Sequence, residues 1–387
     1  MVPPPFSHTD EAADVVVPLL DLEPIHQPLF TELQAVLTRV LQSNRFVGGQ
    51  ELLLFEQELA HYCGVEHAIG VSSGTDALLA SLMAFDIGWG DEVIVPTFTF
   101  FATAGSVRRV GAIPVFCDIE PHGLNMDPTC LEPLITDRTK AIIPVHLFGQ
   151  AAEMTPILEV AARHGLRVIE DMAQAIGACY KGRSVGSFGD TACLSFFPSK
   201  NLGAMGDAGA VLTCDSELAE RLRLLREHGA KARYYHAFVG GNFRLDAIQA
   251  AFLRVKLPYL PSWHEQRRRN AAAYHEGFRE LEEQGLVILP RQLPNRRHVF
   301  NQYVIRVKDR DALQDYLSSH QVGTAVYYPV PLHLQECFGD PSAPPPHLPV
   351  AEEAAKEVLA LPIFPGLSEA QQYKVIRCVS EFLLQRV

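Results

Sequence analysis

The sequence predicts an α/β fold, with a large domain on a mostly parallel sheet followed by a smaller α+β domain. Three observations carry this. Between about residues 50 and 260, amphipathic helical patterns alternate with short apolar runs. Those runs are rich in β-branched residues and lack polar alternation, as strands buried on both faces do. The pattern then changes after Pro258 and Pro261.

Taken in order, helical periodicity is expected over residues 51–62, 76–85, 99–109, 155–164, 217–227 and 245–256. Strands are expected between them at 92–95, 114–118, 141–146, 167–171, 193–197 and 209–213. Strand and helix alternating in this way indicates a parallel sheet with crossover helices. Beyond Pro261 a long helical pattern (262–284) leads to a strand-like run at 301–307, a helix at 311–319 and a further strand at 323–328. Helical patterns at 351–360 and 368–384 close the chain. The expected division is therefore 1–258, an N-terminal segment with the large domain, and 259–387, the small one.

Composition narrows the function classes. The 387 residues are 48% hydrophobic and 20% charged, ordinary for a globular core, so order is expected except in the first dozen residues and the Pro-rich stretch 341–349. Lys plus Arg total 33 against 45 acidic residues, a net charge of −12, which argues against nucleic-acid binding. The eight cysteines form no CxxC pair and no Cys/His cluster, so neither a disulfide framework nor a metal site is expected. The first residues, MVPPPFSHTDEAADVVV, lack the basic start and apolar core of a signal peptide, and no apolar run nears the ~20 residues that span a bilayer. A soluble, cytoplasmic protein with no membrane partner is expected.

Ligands of open α/β sheets gather at strand carboxyl ends and helix N-termini. Three such places stand out. Val71-Ser72-Ser73-Gly74-Thr75-Asp76 enters a helix, where free amides and hydroxyls suit a phosphate; an ordinary helix cap by Thr75 or Asp76 would look the same. Glu170-Asp171 ends a buried strand and needs a partner, which a protonated ring nitrogen or nearby backbone could supply. Lys200 follows an aromatic strand and precedes Gly203, Gly206 and Gly209; it is either a Schiff-base lysine or a surface residue of a glycine-rich loop. Together they match the needs of pyridoxal 5′-phosphate (PLP): a phosphate cradle, an Asp facing the pyridine nitrogen and a lysine for the aldehyde.

The blocks SSGTDAL (72–78), PTFTFFAT (96–103), EDMAQAIGA (170–178), SFFPSKNLGAMGDAGAV (195–211) and GGNFRLDAIQAA (240–251) stand in one order. In these blocks, and through nearly its whole length, the sequence resembles the DegT/DnrJ/EryC1/StrS family of sugar aminotransferases. The resemblance implies an aspartate-aminotransferase-like fold (PLP fold type I) and the following roles. Lys200 is the Schiff-base lysine and proton shuttle. Asp171 pairs with the ring nitrogen, Gln174 lies near the phenolic oxygen and Phe100 stacks on the ring. Gly74, Thr75 and Ser195 hold the phosphate. Asn242 reaches a neighbouring subunit's phosphate, implying a homodimer with shared active sites. Arg244 is a candidate for substrate anions, and Tyr328 and His333 are candidates in the segment that closes over substrate. Asp207-Ala208-Gly209 departs from the frequent Asp-Gly-Gly without losing a catalytic atom.

The resemblance further implies transfer of an amino group from an amino acid, glutamate in most of the family, to a keto-sugar nucleotide in ping-pong fashion. The wording KNLGAMGDAGA is closer to members acting on 3-keto sugars, which suggests a 3-keto-6-deoxyhexose. A cyclitol ketone is the alternative acceptor. A PLP-dependent sugar dehydratase carries His where Lys200 stands, and a regulatory or scaffold protein has no chemical need for Asp171, Gln174, Ser195, Lys200 and Asn242 together. Arg221 and Arg223 read as a solvated helix face. Lys231 and Arg233 lead into Gly240-Gly241-Asn242 and are candidates for the nucleotide diphosphate, across the dimer interface.

Overall fold

A computed structural model describes residues 15–339 and 344–386. The first dozen residues and the start of the 341–349 stretch, both expected to lack order, lie outside these. Two helices, α1 (Phe30–Ser43) and α2 (Gln50–Cys63), lead to β1 (His67–Val71). There follow α3 (Gly74–Ala84), β2 (Glu92–Pro96), α4 (Ala102–Arg109), β3 (Ile113–Cys117), β4 (Thr139–Ile142), α5 (Met154–His164), β5 (Arg167–Asp171), β6 (Thr191–Ser195), β7 (Gly209–Thr213), α6 (Ser216–Arg226) and α7 (Ala247–Lys256). The later elements are α8 (Leu260–Gly277), β8 (Tyr303–Arg306), α9 (Arg310–Ser319), α10 (Pro349–Glu357), β9 (Val358–Leu361) and α11 (Glu369–Leu384).

The first seven strands form one sheet in the order β1-β7-β6-β5-β4-β2-β3. Only β7 runs against the others, so the sheet is parallel except at that strand. The lack of polar alternation has the expected cause: both faces are covered. Side chains alternate between two apolar clusters, with Ile94, Ile142, Val168 and Leu194 packing beneath α1, α2 and α7. Val93, Val95, Ala141, Ile169 and Cys193 pack on the other side against α3, α4 and α6. Each fully buried Val or Ile contributes about 1.5–3 kcal/mol, so both faces are needed to hold the sheet. Gly70 lets β1 approach its cover closely, since a Cβ there would fall 2.8 Å from Leu52 and 2.9 Å from Leu245.

A third cluster joins Ala271 and Tyr274 of α8, and Phe278 just after it, to β8, β9, α9 and α11, and takes in Val17 from near the start of the chain. α8 spans two cores, because Leu260 and Trp263 at its beginning belong to the cluster of the large sheet. α11 opens on a capping box in which Ser368 and Gln371 satisfy each other's backbone amides. Two differences from the expected elements lie here. Residues 323–328 form no ladder; their backbone meets β9 at a bridge between Ala325 and Ala360. The expected helix 351–360 stops at Glu357, and the next four residues, all buried, pair with β8 as β9. An apolar run of that length suits a helix or a strand, and the partner strand decides.

Candidate active site

The sheet register gathers the site at one edge. Val71, Gly209 and Ser195 stand in one row across β1, β7 and β6, while Asp171 at the end of β5 lies beside Cys193. Val71 leads through Ser72 and Ser73 into α3. Ser73 caps that helix by accepting a 3.0 Å bond from the Asp76 amide. Gly74 and Thr75, the first helical residues, therefore keep amides that have no partner within the helix. A Cβ on Gly74 would fall 2.7 Å from the Ser195 Cβ, and one on Gly209 2.4 Å from the Ser73 carbonyl carbon. Glycine at both positions lets Ser195 approach the helix start, which makes a small hydroxyl-lined cradle at its positive end.

The two carboxylates of β5 have different surroundings. Glu170 is fully buried and accepts from His146 Nε2 (2.9 Å) and from the amides of Gly186, Phe188 and Gly189 at 2.7–2.9 Å. Burial pushes its pKa up, but the His146 bond and charge and the amide bonds outweigh it and hold it below the usual carboxylate range. Asp171, 5% exposed, accepts among the described residues from Thr103 Oγ1 (2.8 Å) and the Ala173 amide (3.1 Å). Burial raises its pKa against those bonds and the fields of Lys200 and His146. A carboxylate offers about four acceptor sites, so Asp171 retains capacity for a cationic N–H donor.

Lys200 follows β6 on a turn. Desolvation lowers its pKa to about 8, opposed by the Asp171 charge. Gln174 is held at both ends: its Oε1 accepts from the Phe148 amide (2.7 Å) and its Nε2 donates to Tyr328 Oη (3.2 Å). The Tyr328 ring lies 6.0 Å from Phe98 and 6.4 Å from Phe100, and Phe100 leaves 56% of its surface open. An amine of lowered pKa, a buried carboxylate with spare acceptor capacity, an anion cradle and an open aromatic face thus lie around one sheet edge. Among the described residues no group of three or more His, Cys, Asp or Glu could hold a metal ion, and no helix is long and apolar enough to cross a membrane.

Against known proteins, the model of the DegT/DnrJ/EryC1/StrS aminotransferase family matches residues 29–380. The chain belongs to this family. It is 51% identical to a "pleiotropic regulatory protein" of Geobacillus stearothermophilus, over 95% of this chain and 98% of that one. It is 46% identical to a UDP-N-acetyl-3-dehydro-alpha-D-glucosamine 3-aminotransferase of Acidithiobacillus ferrooxidans, over 96% and 99%. The crystal structure of S. venezuelae DesV in complex with a ketimine intermediate superposes with a TM-score of 0.91 at 44% identity, covering 95% of this chain and 98% of that one. The fold is the PLP fold type I of the DegT/DnrJ/EryC1/StrS aminotransferases.

The remaining expected residues have other surroundings. Asn242 is exposed, and Arg244, bridged in backbone to Val71, pairs with Glu227 at 3.1 Å. Lys231 lines a surface groove with Arg167, Asp190 and Arg221, and Arg233 is exposed against its neighbour Tyr234. Within one chain, neither joins Lys200. His333 is buried, its Nδ1 2.6 Å from Thr97 Oγ1 and its Nε2 3.3 Å from Glu352, so both ring nitrogens are engaged inside the fold. Sequence reasoning does not single out Thr103, His146 or Phe148. Thr103 lies in the PTFTFFAT block, where a hydroxyl amid apolar residues is the available signal; a lone His after β4 offers less.

Proposed function

We propose that the protein is a PLP-dependent aminotransferase that moves an amino group from an amino acid, with glutamate as donor, to the ketone of a nucleotide-linked sugar. The observation that carries this is the contrast on β5: Glu170 is satisfied, while buried Asp171 keeps acceptor capacity beside an amine lowered to about 8. These residues fit the cofactor. Lys200 would hold its aldehyde carbon, Asp171 its ring nitrogen, Gln174 its phenolic oxygen and Phe100 its ring face. Gly74, Thr75 and Ser195 would hold its phosphate. When bound, PLP supplies a carbonyl that accepts the donor's amine and a ring that stabilises negative charge at the neighbouring carbon.

The chain's own part is proton handling and placement. Asp171, negative, favours a proton on a ring nitrogen facing it. Lys200 Nζ, once free and neutral, takes the proton from the substrate carbon and returns it on the far side of the transfer. Thr103 and the Ala173 amide fix the Asp171 carboxylate. Phe148 orients Gln174, so that its Nε2 faces the side where Tyr328 closes.

Residues 1–258 and 259–387 act as two units in this reading, and the second brings Tyr328 over the first. The acceptor is a keto sugar on a nucleotide, with the ketone at carbon 3; the name of the 46%-identical relative supports that carbon and weighs against a cyclitol ketone. The name of the 51%-identical relative raises a regulatory role, but the assembled Lys200, Asp171 and phosphate cradle favour an enzyme. A homodimer in the cytoplasm is the working unit. Val47, Phe197 and Val239 leave large apolar surface exposed for a second copy to cover, and Asn242, Lys231 and Arg233 would serve that copy's site. The test is a panel of 3-keto and 4-keto nucleotide sugars supplied with glutamate. Amination of a 3-keto sugar is the expected result; cofactor binding without turnover on any of them would favour the regulatory role.

A further inference from the structure

The turn that carries Lys200, residues 197–206, belongs to no helix or strand. It closes on itself, the Lys200 amide donating to Phe197 (2.8 Å) and the Ala204 amide to Phe196 (2.7 Å). A Cβ on Gly203 would fall 2.3 Å from the Pro198 carbonyl oxygen. What fixes the turn against the rest of the molecule is side chains. On one side Asn201 Nδ2 donates to the Val299 carbonyl (3.2 Å). On the other stands α7. Gln249 accepts from the Met205 amide (2.9 Å) and donates to the Met205 carbonyl (3.1 Å). Seven residues on, two turns along the same helix face, Lys256 Nζ donates to the Gly203 carbonyl, with His26 Nε2 at 3.0 Å.

Lys256 is an unusual choice for that place. It is 2% exposed, and no carboxylate among the described residues pairs with it. Desolvation alone lowers its pKa, to about 8. A buried ammonium without a counter-charge is costly, and Met or Leu would fill the space at less expense in free energy. What an apolar residue cannot do is grip a carbonyl. The gripped carbonyl is three residues from Lys200.

We propose that Lys256 is a positioning residue for Lys200: through the Gly203 carbonyl, and with Gln249 beside it, Lys256 sets where the lysine-bearing turn stands relative to Asp171. This rests on the function proposed above and adds a residue to it. The turn holds Lys200 partly buried, and a loosened turn lets more water in. Water favours the protonated form of a nitrogen cation, so loosening raises the pH at which the Lys200–cofactor linkage loses its proton.

The test uses the PLP-loaded protein and the variants Lys256→Met, Lys256→Arg and Gln249→Leu. The pH titration of the cofactor's visible absorbance, turnover and melting temperature are measured on each. Lys256→Met is expected to move the titration midpoint up by ~0.5 unit or more, about threefold in proton affinity. Turnover should fall on the order of ten- to a hundredfold, as for a catalytic group displaced by about 1 Å. Lys256→Arg, which keeps a cationic donor, should recover much of both. Gln249→Leu should shift the midpoint in the same direction by less. An unmoved midpoint in Lys256→Met and Gln249→Leu overturns the proposal, as does a turnover that falls only with the folded fraction. Should Lys256→Met fail to fold, Gln249→Leu decides alone. A visible band that survives Lys200→Ala would instead overturn the role of Lys200, a separate failure.

Discussion

Asp171 and Glu170 are adjacent in sequence and opposite in surroundings. Two carboxylates at a strand end signal that a partner is needed, but the residues alone do not say which carboxylate is satisfied. Side chains alternate across a strand, and only the packed sheet shows His146 and three amides on the Glu170 side. Thr103 was illegible for the same reason: its bond to Asp171 spans 68 residues of chain. Lys200 was legible as a residue, while its lowered pKa belongs to the fold. That value carries a prediction. Below about 8 the free amine of Lys200 holds its proton and cannot take one from substrate; above it the amine is neutral and competent. Turnover at saturating substrates should therefore rise with pH through an acid limb centred near 8. A limb near the ordinary lysine value, or a flat profile across that region, would show that burial does not tune this amine.

At the scale of elements, the start of α3 illustrates what a motif can and cannot say. SSGTDAL was compatible with a helix cap and with a phosphate cradle, and the structure contains a cap beside the proposed cradle. Ser73 caps and Asp76 donates to it, which leaves Gly74 and Thr75 for a ligand. The requirement for glycine comes from a strand distant in sequence, since Ser195 occupies the space a Cβ would take. Gly74→Ala should therefore push Ser195 aside, an overpacking that costs about 1–3 kcal/mol at the crowded point. The expected outcome is PLP affinity lowered roughly tenfold or more, with partial recovery in the double variant Gly74→Ala/Ser195→Gly. Equilibrium titration of the cofactor-free protein with PLP reads this directly. Affinity equal to wild type in Gly74→Ala would mean that the helix start does not hold the phosphate.

For the whole molecule, much of the alternation of helix and strand was readable because most strands are short, apolar and covered on both faces; β1 was not singled out, and β3 at the sheet edge is only partly covered. The sheet order was not readable, because β7 inserts between β1 and β6 and runs against both. β9 was hidden inside a helical pattern, and the entry of Val17 into the third cluster joins residues too far apart for periodicity to link. The positions of Lys231 and Arg233 away from Lys200 within one chain are of this kind too: their proposed role requires a second copy, and a single sequence carries no interface geometry. The central claim, that this fold builds a PLP site around Lys200, has a direct measurement. Sodium borohydride reduction of the PLP-loaded protein fixes the cofactor to the lysine that holds it, and peptide mass mapping then locates the label. The account predicts the label on Lys200 and its loss in Lys200→Ala; a label on Lys181, Lys231 or Lys256 would contradict it.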